Sequence, residues 1–218
     1  MDGPVEPPAR AEIAETYRRI ATHFAQTRTH PWPEVEEFVR TQSSATCALD
    51  IGCGNGRHLK LLADVAERVV GIDLSRPLLA LAARTAPEAA LAQGDTVMLP
   101  LQADTVDLCL YVATLHHVPT RSARQRSLAD LARVLQRGGS ALISCWSVTH
   151  DKFDADTGHD RWVDWTLPDE TVVERFYHIF DLEEFTTELE ASPLAVQRTY
   201  EASGNCYGIV SAPNREDA

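Results

Sequence analysis

The chain has 218 residues and a mass of 24.1 kDa, enough for one sizeable domain that buries its own core without covalent staples. Its 44% hydrophobic and 24% charged residues exclude a disordered chain, and no apolar run approaches the ~18 residues of a membrane helix. The net charge is −12, from 32 acids against 20 bases, which disfavours indiscriminate nucleic-acid binding because that binding scales with Lys and Arg.

A local basic patch remains compatible with that total. Only two bases, Lys60 and Lys152, are lysine. This balance suits a high-salt cytoplasm, where self-repulsion is screened, and equally a GC-rich genome that favours Arg. The acidic, Pro-rich start, Met1-Asp2-Gly3-Pro4, is unlike a secretory signal. Five cysteines (Cys47, Cys53, Cys109, Cys145 and Cys206) show no C-x-x-C and no zinc-ligand spacing. Buried reduced thiols in a cytoplasmic protein are expected.

Residues 1–9 read as a disordered N-terminus, and 10–218 as a single domain. Ile13, Tyr17, Ile20 and Phe24 have helical spacing within 11–26, and a proline opens a second helix over 33–40. Strand-like runs follow at 46–51, 68–73, 89–93, 106–112 and 140–146. Helices are expected between them at 56–63, 77–84 and 122–135. Strands alternating with helices predict βαβ units and a parallel sheet covered on both faces. Residues 147–175 are polar, with few periodic apolar positions, and read as an insertion or lid. A helix at 182–189 and strands at 196–200 and 207–212 predict an antiparallel hairpin at the sheet edge.

The segment Asp50-Ile51-Gly52-Cys53-Gly54-Asn55-Gly56 sets three glycines at alternate positions between a strand and a helix. Glycine there lets the backbone turn tightly and approach a ligand closely. Asp73 ends the next strand, where a carboxylate accepts the ribose hydroxyls of an adenosine. A nicotinamide fingerprint wants a third glycine where Arg57 stands, and the Gly-Lys-Ser/Thr of a P-loop is absent. An adenosine ligand without a pyrophosphate fits these residues better.

Together with Gly94-Asp95 and Arg137-Gly138-Gly139, this pattern resembles the class I S-adenosylmethionine-dependent methyltransferases. The resemblance implies a Rossmann-like α/β fold with a mostly parallel seven-stranded sheet, helices on both faces and a C-terminal antiparallel hairpin. It also implies S-adenosyl-L-methionine as cofactor. The glycine loop (Asp50, Gly52, Gly54) would hold the methionine portion, Asp73 with Leu74 the ribose, and Asp95 with Thr96 the adenine.

More specific pieces are Tyr17-Arg18-Arg19-Ile20-Ala21-Thr22-His23-Phe24, Thr27-Arg28, Trp32-Pro33, Leu99-Pro100-Leu101, His116-His117, Trp146 and Arg175-Phe176-Tyr177-His178. They resemble the tRNA wobble-uridine 5-carboxymethyl methyltransferases, which esterify 5-carboxymethyluridine. Two departures stand out. Thr149-His150 replaces an acidic-amide pair, and Cys206 replaces an aromatic after Asn205. No substrate contact is carried over to those places.

By that resemblance 10–42 forms a helical lid, and a small zinc-binding activator protein pairs with the sheet edge at 89–93, giving a heterodimer. A substrate carboxylate is already ionised at neutral pH and needs no general base. Arg28 is the candidate to grip it and His116 a candidate contact, with Trp32 available to stack on a base. Arg175, Tyr177 and His178 are further candidate substrate contacts. Five arginines against Asp130 between Pro119 and Ser140 make a local +4, so Arg121 and Arg124 are expected to meet tRNA phosphates. A small-molecule (quinone-type) methyltransferase and a non-catalytic cofactor-binding scaffold are the alternatives.

Overall fold

A computed structural model describes residues 6–153 and 159–212. The expected N-terminal disorder lies outside the described residues for 1–5. Residues 6–9 carry no regular structure before helix α1 (Arg10–Thr27) and helix α2 (Pro33–Arg40). Strand β1 (Ala45–Ile51), helix α3 (Leu59–Ala63), strand β2 (Ala66–Asp73), helix α4 (Arg76–Thr85) and strand β3 (Ala90–Gln93) follow as consecutive βα units. Helix α3 starts three residues later than the sequence predicts. Gly56 sits at φ +80°, a left-handed conformation that no right-handed helix accommodates.

Strand β4 (Val106–Val112), a 3₁₀ turn at Leu115–His117, helix α5 (Arg121–Val134) and strand β5 (Leu135–Trp146) complete the parallel part. Strands β8 (Ala195–Ala202) and β9 (Asn205–Ser211) form the expected hairpin, preceded by helix α6 (Leu182–Glu190). The sheet order is β3-β2-β1-β4-β5-β9-β8, with β1 to β5 parallel and the last two strands antiparallel. Strand β1 therefore pairs with β2 on one side and β4 on the other. That reversal opens a crevice at the carboxyl ends of β1 and β4, where open α/β sheets bind ligands. Leu49, Ile51, Cys109 and Tyr111 are fully buried and pack in one cluster, and Ala48, Leu108 and Leu110 face a second. Both sheet faces are thus covered, as continuous apolar runs require.

The polar stretch read as an irregular lid contains a regular element. Strands β6 (Asp160–Thr166) and β7 (Val172–His178) pair antiparallel as a separate two-stranded sheet. Its turn is closed by Leu167 and Thr171, and Glu170 adopts φ +67°. The hairpin packs on α1 through β7, and Trp165 Nε1 donates to His23 Nδ1 at 3.1 Å. All five cysteines are free and buried. Among the described residues, no helix is long and apolar enough to cross a membrane.

Candidate active site

The crevice at the switch point is a cavity open to solvent at its mouth. Its floor is the loop after β1. Gly52, Gly54 and Gly56 all adopt positive φ. A Cβ on Gly52 would lie 2.2 Å from Thr114 Oγ1, whereas one on Gly54 would enter open space with Phe24 at 3.8 Å. The first glycine lets the loop after β4 close, and the second keeps the cavity floor clear for a ligand.

Asp73 locks this floor. Its Oδ2 accepts the Gly54 N–H at 2.8 Å and its Oδ1 the Ser75 N–H at 2.7 Å. A carboxylate has about four acceptor sites, so these bonds leave Asp73 acceptor capacity, and it lines the cavity with Leu74 and Thr96. The glycine floor, a carboxylate at the end of β2 and a large adjoining space fit an adenosine-type cofactor. Asp73→Ala should weaken S-adenosylmethionine binding by about 1.5–3 kcal/mol, the scale of hydrogen bonds to a charged group. Calorimetry showing parental affinity would remove Asp73 from the ribose site.

Asp50 and Asp95 sit differently from the sequence expectation. Asp50 is buried behind the loop rather than lining the cavity, and its Oδ2 has no hydrogen-bond partner. Burial pushes its carboxyl up to about 7, against the attraction of Arg57. The folded chain therefore holds a proton that the unfolded chain releases near pH 4. The stability this contributes is present at acid pH and is lost as pH rises towards 7. Asp50→Asn should consequently stabilise the fold by roughly 2–4 kcal/mol at pH 8 and by clearly less at pH 5. Equal changes in Tm at both pH values would contradict that burial.

Asp95 forms an ion pair with Arg10, whose Nη2 also lies 3.4 Å from Thr96 Oγ1. The first turn of α1 is thus tied to the loop after β3. Arg10, Ile13, Tyr17 and Phe24 all line the cavity, so the helical stripe read from the sequence serves as a wall of the site. Tyr17 donates to His117 Nε2 at 2.7 Å, while His117 Nδ1–H donates to the Phe176 carbonyl at 2.9 Å. Burial pushes His117 down to about 3.

His116 is 1% exposed, and burial drives its pKa well below the ordinary range. Its Nδ1 accepts the Trp146 N–H at 2.9 Å, so the proton of the neutral ring is on Nε2. His116 is a hydrogen-bond donor here and not a base.

The hairpin supplies the opposite wall. Arg175, 2% exposed, donates Nη1–H to Tyr177 Oη at 2.5 Å and leaves its buried Nε without a partner. Its guanidinium lies over the rings of Trp165 and Tyr177, at 4.7 and 5.0 Å from the centroids. Tyr177 stacks on Trp146 at 4.3 Å. Among the described residues, no carboxylate pairs with Arg175. Arg28 lies over Phe24 and Trp165, and Arg57 lies over Trp32 at 5.0 Å. Four arginines (Arg10, Arg28, Arg57 and Arg175) therefore line the cavity with one acid, Asp73. Lys152 stands 5.6 Å from Trp146, its pKa lowered by partial burial and by the charges of Arg175 and Arg28. A chain of net charge −12 has a strongly cationic centre.

Two expected substrate contacts, Arg124 and His178, lie elsewhere or are occupied. Arg124 is buried in a two-pronged pair with Glu188, at 2.7 and 3.0 Å, which removes it from any phosphate. Arg133 is taken by Asp130, already counted in the local +4, and Glu188 lowers that sum by one, while Arg121 and Arg126 stay exposed on α5. His178 points away from the cavity and lies between Asp160 and Glu184, because strand alternation puts it opposite Arg175 and Tyr177. Sequence reasoning also missed Arg10, Tyr17 and Arg57 as cavity residues, and their helical phase on α1 was the only signal for the first two.

The switch-point crevice, the glycine floor and the acid at the end of β2 define a class I S-adenosylmethionine-dependent methyltransferase. Residues 49–143 match a family model described as a methyltransferase domain. The chain is similar in sequence to proteins named tRNA (carboxymethyluridine(34)-5-O)-methyltransferase. It is 33% identical over 160 residues to the Saccharomyces cerevisiae protein of that name, a match covering 72% of this chain and spanning 57% of the relative. Among solved structures, a complex of DhpI with SAH superposes with TM-score 0.74 at 20% identity, covering 94% of this chain and 97% of the other. A methyltransferase in complex with the Haloferax volcanii Trm112 methyltransferase activator superposes with TM-score 0.72 at 15% identity, covering 94% and 100%.

Proposed function

We propose that this chain methyl-esterifies the carboxylate of 5-carboxymethyluridine at the anticodon wobble position of tRNA, in the cytoplasm, giving 5-methoxycarbonylmethyluridine. The observation that carries this reading is Arg175. It is a buried cation with an unpartnered N–H and no carboxylate among the described residues, set in an aromatic frame on the cavity wall. A buried charge is costly unless paired, and a substrate carboxylate supplies the partner. The homology to carboxymethyluridine methyltransferases supports the same substrate. A quinone-type substrate gives the cavity arginines that carry no carboxylate partner, Arg28 and Arg175 among them, no task.

The cofactor supplies an electrophilic methyl group on a sulfonium. The residues of this chain bind, orient and exclude water. Arg175 and Arg28 hold one carboxylate oxygen through charge-assisted hydrogen bonds and leave the other free to attack in line. His116 donates a hydrogen bond and moves no proton. None needs to move, because the nucleophile is already an anion. Helix α1 and the β6–β7 hairpin close over the site and keep water from competing. Trp32, stacked under Arg57, is a platform at the rim for a splayed base.

The exposed edge of the main sheet supports a partner. Strand β3 is its terminal strand, and Met98 just beyond it is 76% exposed. An edge of this kind invites strand pairing, and a small zinc-binding activator protein is the proposed occupant, making a heterodimer. Purified chain and activator, incubated with carboxymethyluridine-containing tRNA and labelled cofactor, should yield labelled 5-methoxycarbonylmethyluridine by nucleoside mass spectrometry. Label confined to any other nucleoside refutes the assignment.

Docking of the tRNA body has a separate test. Arg121 and Arg126 are exposed on α5. Replacing both with Ala should raise KM for tRNA and reduce the salt slope of binding by roughly one unit per lost phosphate contact, without changing cofactor affinity. An unchanged salt slope would move the docking surface to the Arg28 and Lys152 side of the cavity mouth.

A further inference from the structure

Outside the cavity, His159, His178 and Glu184 bring one metal-ligating atom each within 4.8 Å of one another. His178 ends β7, Glu184 stands in the first turn of α6, and His159 immediately precedes β6. His178 Nδ1 lies 2.6 Å from Asp160 Oδ1 and its Nε2 lies 3.0 Å from Glu184 Oε1. A neutral imidazole has one N–H. With that proton held by Asp160, the Nε2 lone pair faces a carboxylate lone pair, and only a proton or a cation between them relieves the repulsion. The second carboxylate oxygen of Glu184 is buried without a hydrogen-bond partner. His159 Nδ1 lies 3.0 Å from it but donates its proton to the Ile179 carbonyl at 2.7 Å, so His159 must release that carbonyl to ligate an ion.

We propose that His159, His178 and Glu184 bind a divalent transition-metal ion of the zinc type. Two imidazoles and one carboxylate are a donor set for such an ion, with a fourth position left for water. Metal–ligand bonds of about 2.0–2.2 Å place tetrahedral neighbours about 3.4 Å apart, so the 3.0 Å separation of His178 and Glu184 needs only a small expansion. Asp160, accepting the other ring N–H of His178, completes the carboxylate–histidine–metal arrangement that fixes a ligand's tautomer. Such an ion ties the hairpin to α6. Because Arg175 and Tyr177 lie on the same strand as His178, facing the cavity, it also fixes the cavity wall from behind.

The test uses the full chain freed of metal and titrated with zinc alone, without any activator protein. Calorimetry should show one zinc per chain and the melting temperature should rise with zinc. His159→Ala, at a half-exposed side chain, and Glu184→Gln should each weaken the affinity at least tenfold, and Asp160→Asn by roughly 10–100-fold. No saturable binding overturns the proposal. So does zinc binding whose affinity survives both His159→Ala and Glu184→Gln, since the ion then sits elsewhere.

Discussion

Arg175→Met is expected to lower kcat/KM for carboxymethyluridine tRNA by about 10²–10³, the effect of losing one preorganised donor to a reacting oxyanion. Cofactor affinity should stay within a few-fold of the parent, because Arg175 lies on the hairpin and away from the glycine floor. The melting temperature should hold or rise. The guanidinium is 2% exposed, its Nε is unpartnered, and no carboxylate offsets it among the described residues. An apolar side chain of similar length removes that desolvation cost while keeping contact with Trp165 and Tyr177. A large fall in Tm, with activity falling in parallel, would make Arg175 a packing residue. Arg28→Ala, on the exposed end of α1, should cost methyl transfer more than cofactor binding. Equal loss of both would assign it to the cofactor.

The largest stability effect is expected at Arg124. Its pair with Glu188 has side chains only 3% and 2% exposed, and the guanidinium also lies over Phe180 at 5.3 Å. Arg124→Ala leaves the Glu188 carboxylate buried and unpaired, which costs about 3–5 kcal/mol. In a domain of this size that corresponds to a fall in Tm of about 10 °C. The double variant Arg124→Met with Glu188→Leu should recover much of the loss, since an apolar pair carries no desolvation cost. Arg121→Ala, one turn away and exposed, should leave Tm unchanged. Thermal melts of the four proteins decide it. If Arg124→Ala melts with the parent, the pair does not anchor α5 to α6.

The contrast between Arg124 and Arg175 shows where reading the sequence stops. Five arginines close together in 121–137 look like a basic patch, yet folding pairs Arg124 with Glu188, 64 positions away, and Arg133 with its neighbour Asp130. The cationic centre is assembled instead from Arg10, Arg28, Arg57 and Arg175, which no window of sequence brings together. Asp73 and the glycines were legible because a tight turn and an acid at a strand's end have fixed places relative to a strand. The β6–β7 hairpin was not legible, because Asp160-Arg161-Trp162-Val163-Asp164-Trp165-Thr166 mixes charge and aromatics on both strand faces. Its turn at Pro168-Asp169 was the one local signal.

Sequence alone determined the class of fold, the glycine loop and the resemblance to a family, since these rest on local periodicity, glycine conformation and short motifs read along the chain. Only the tertiary structure decided which charges stay free and which are spent. An ion's energy depends on its partners in space and on its burial, and both are set by how α1, the hairpin and the sheet edge meet.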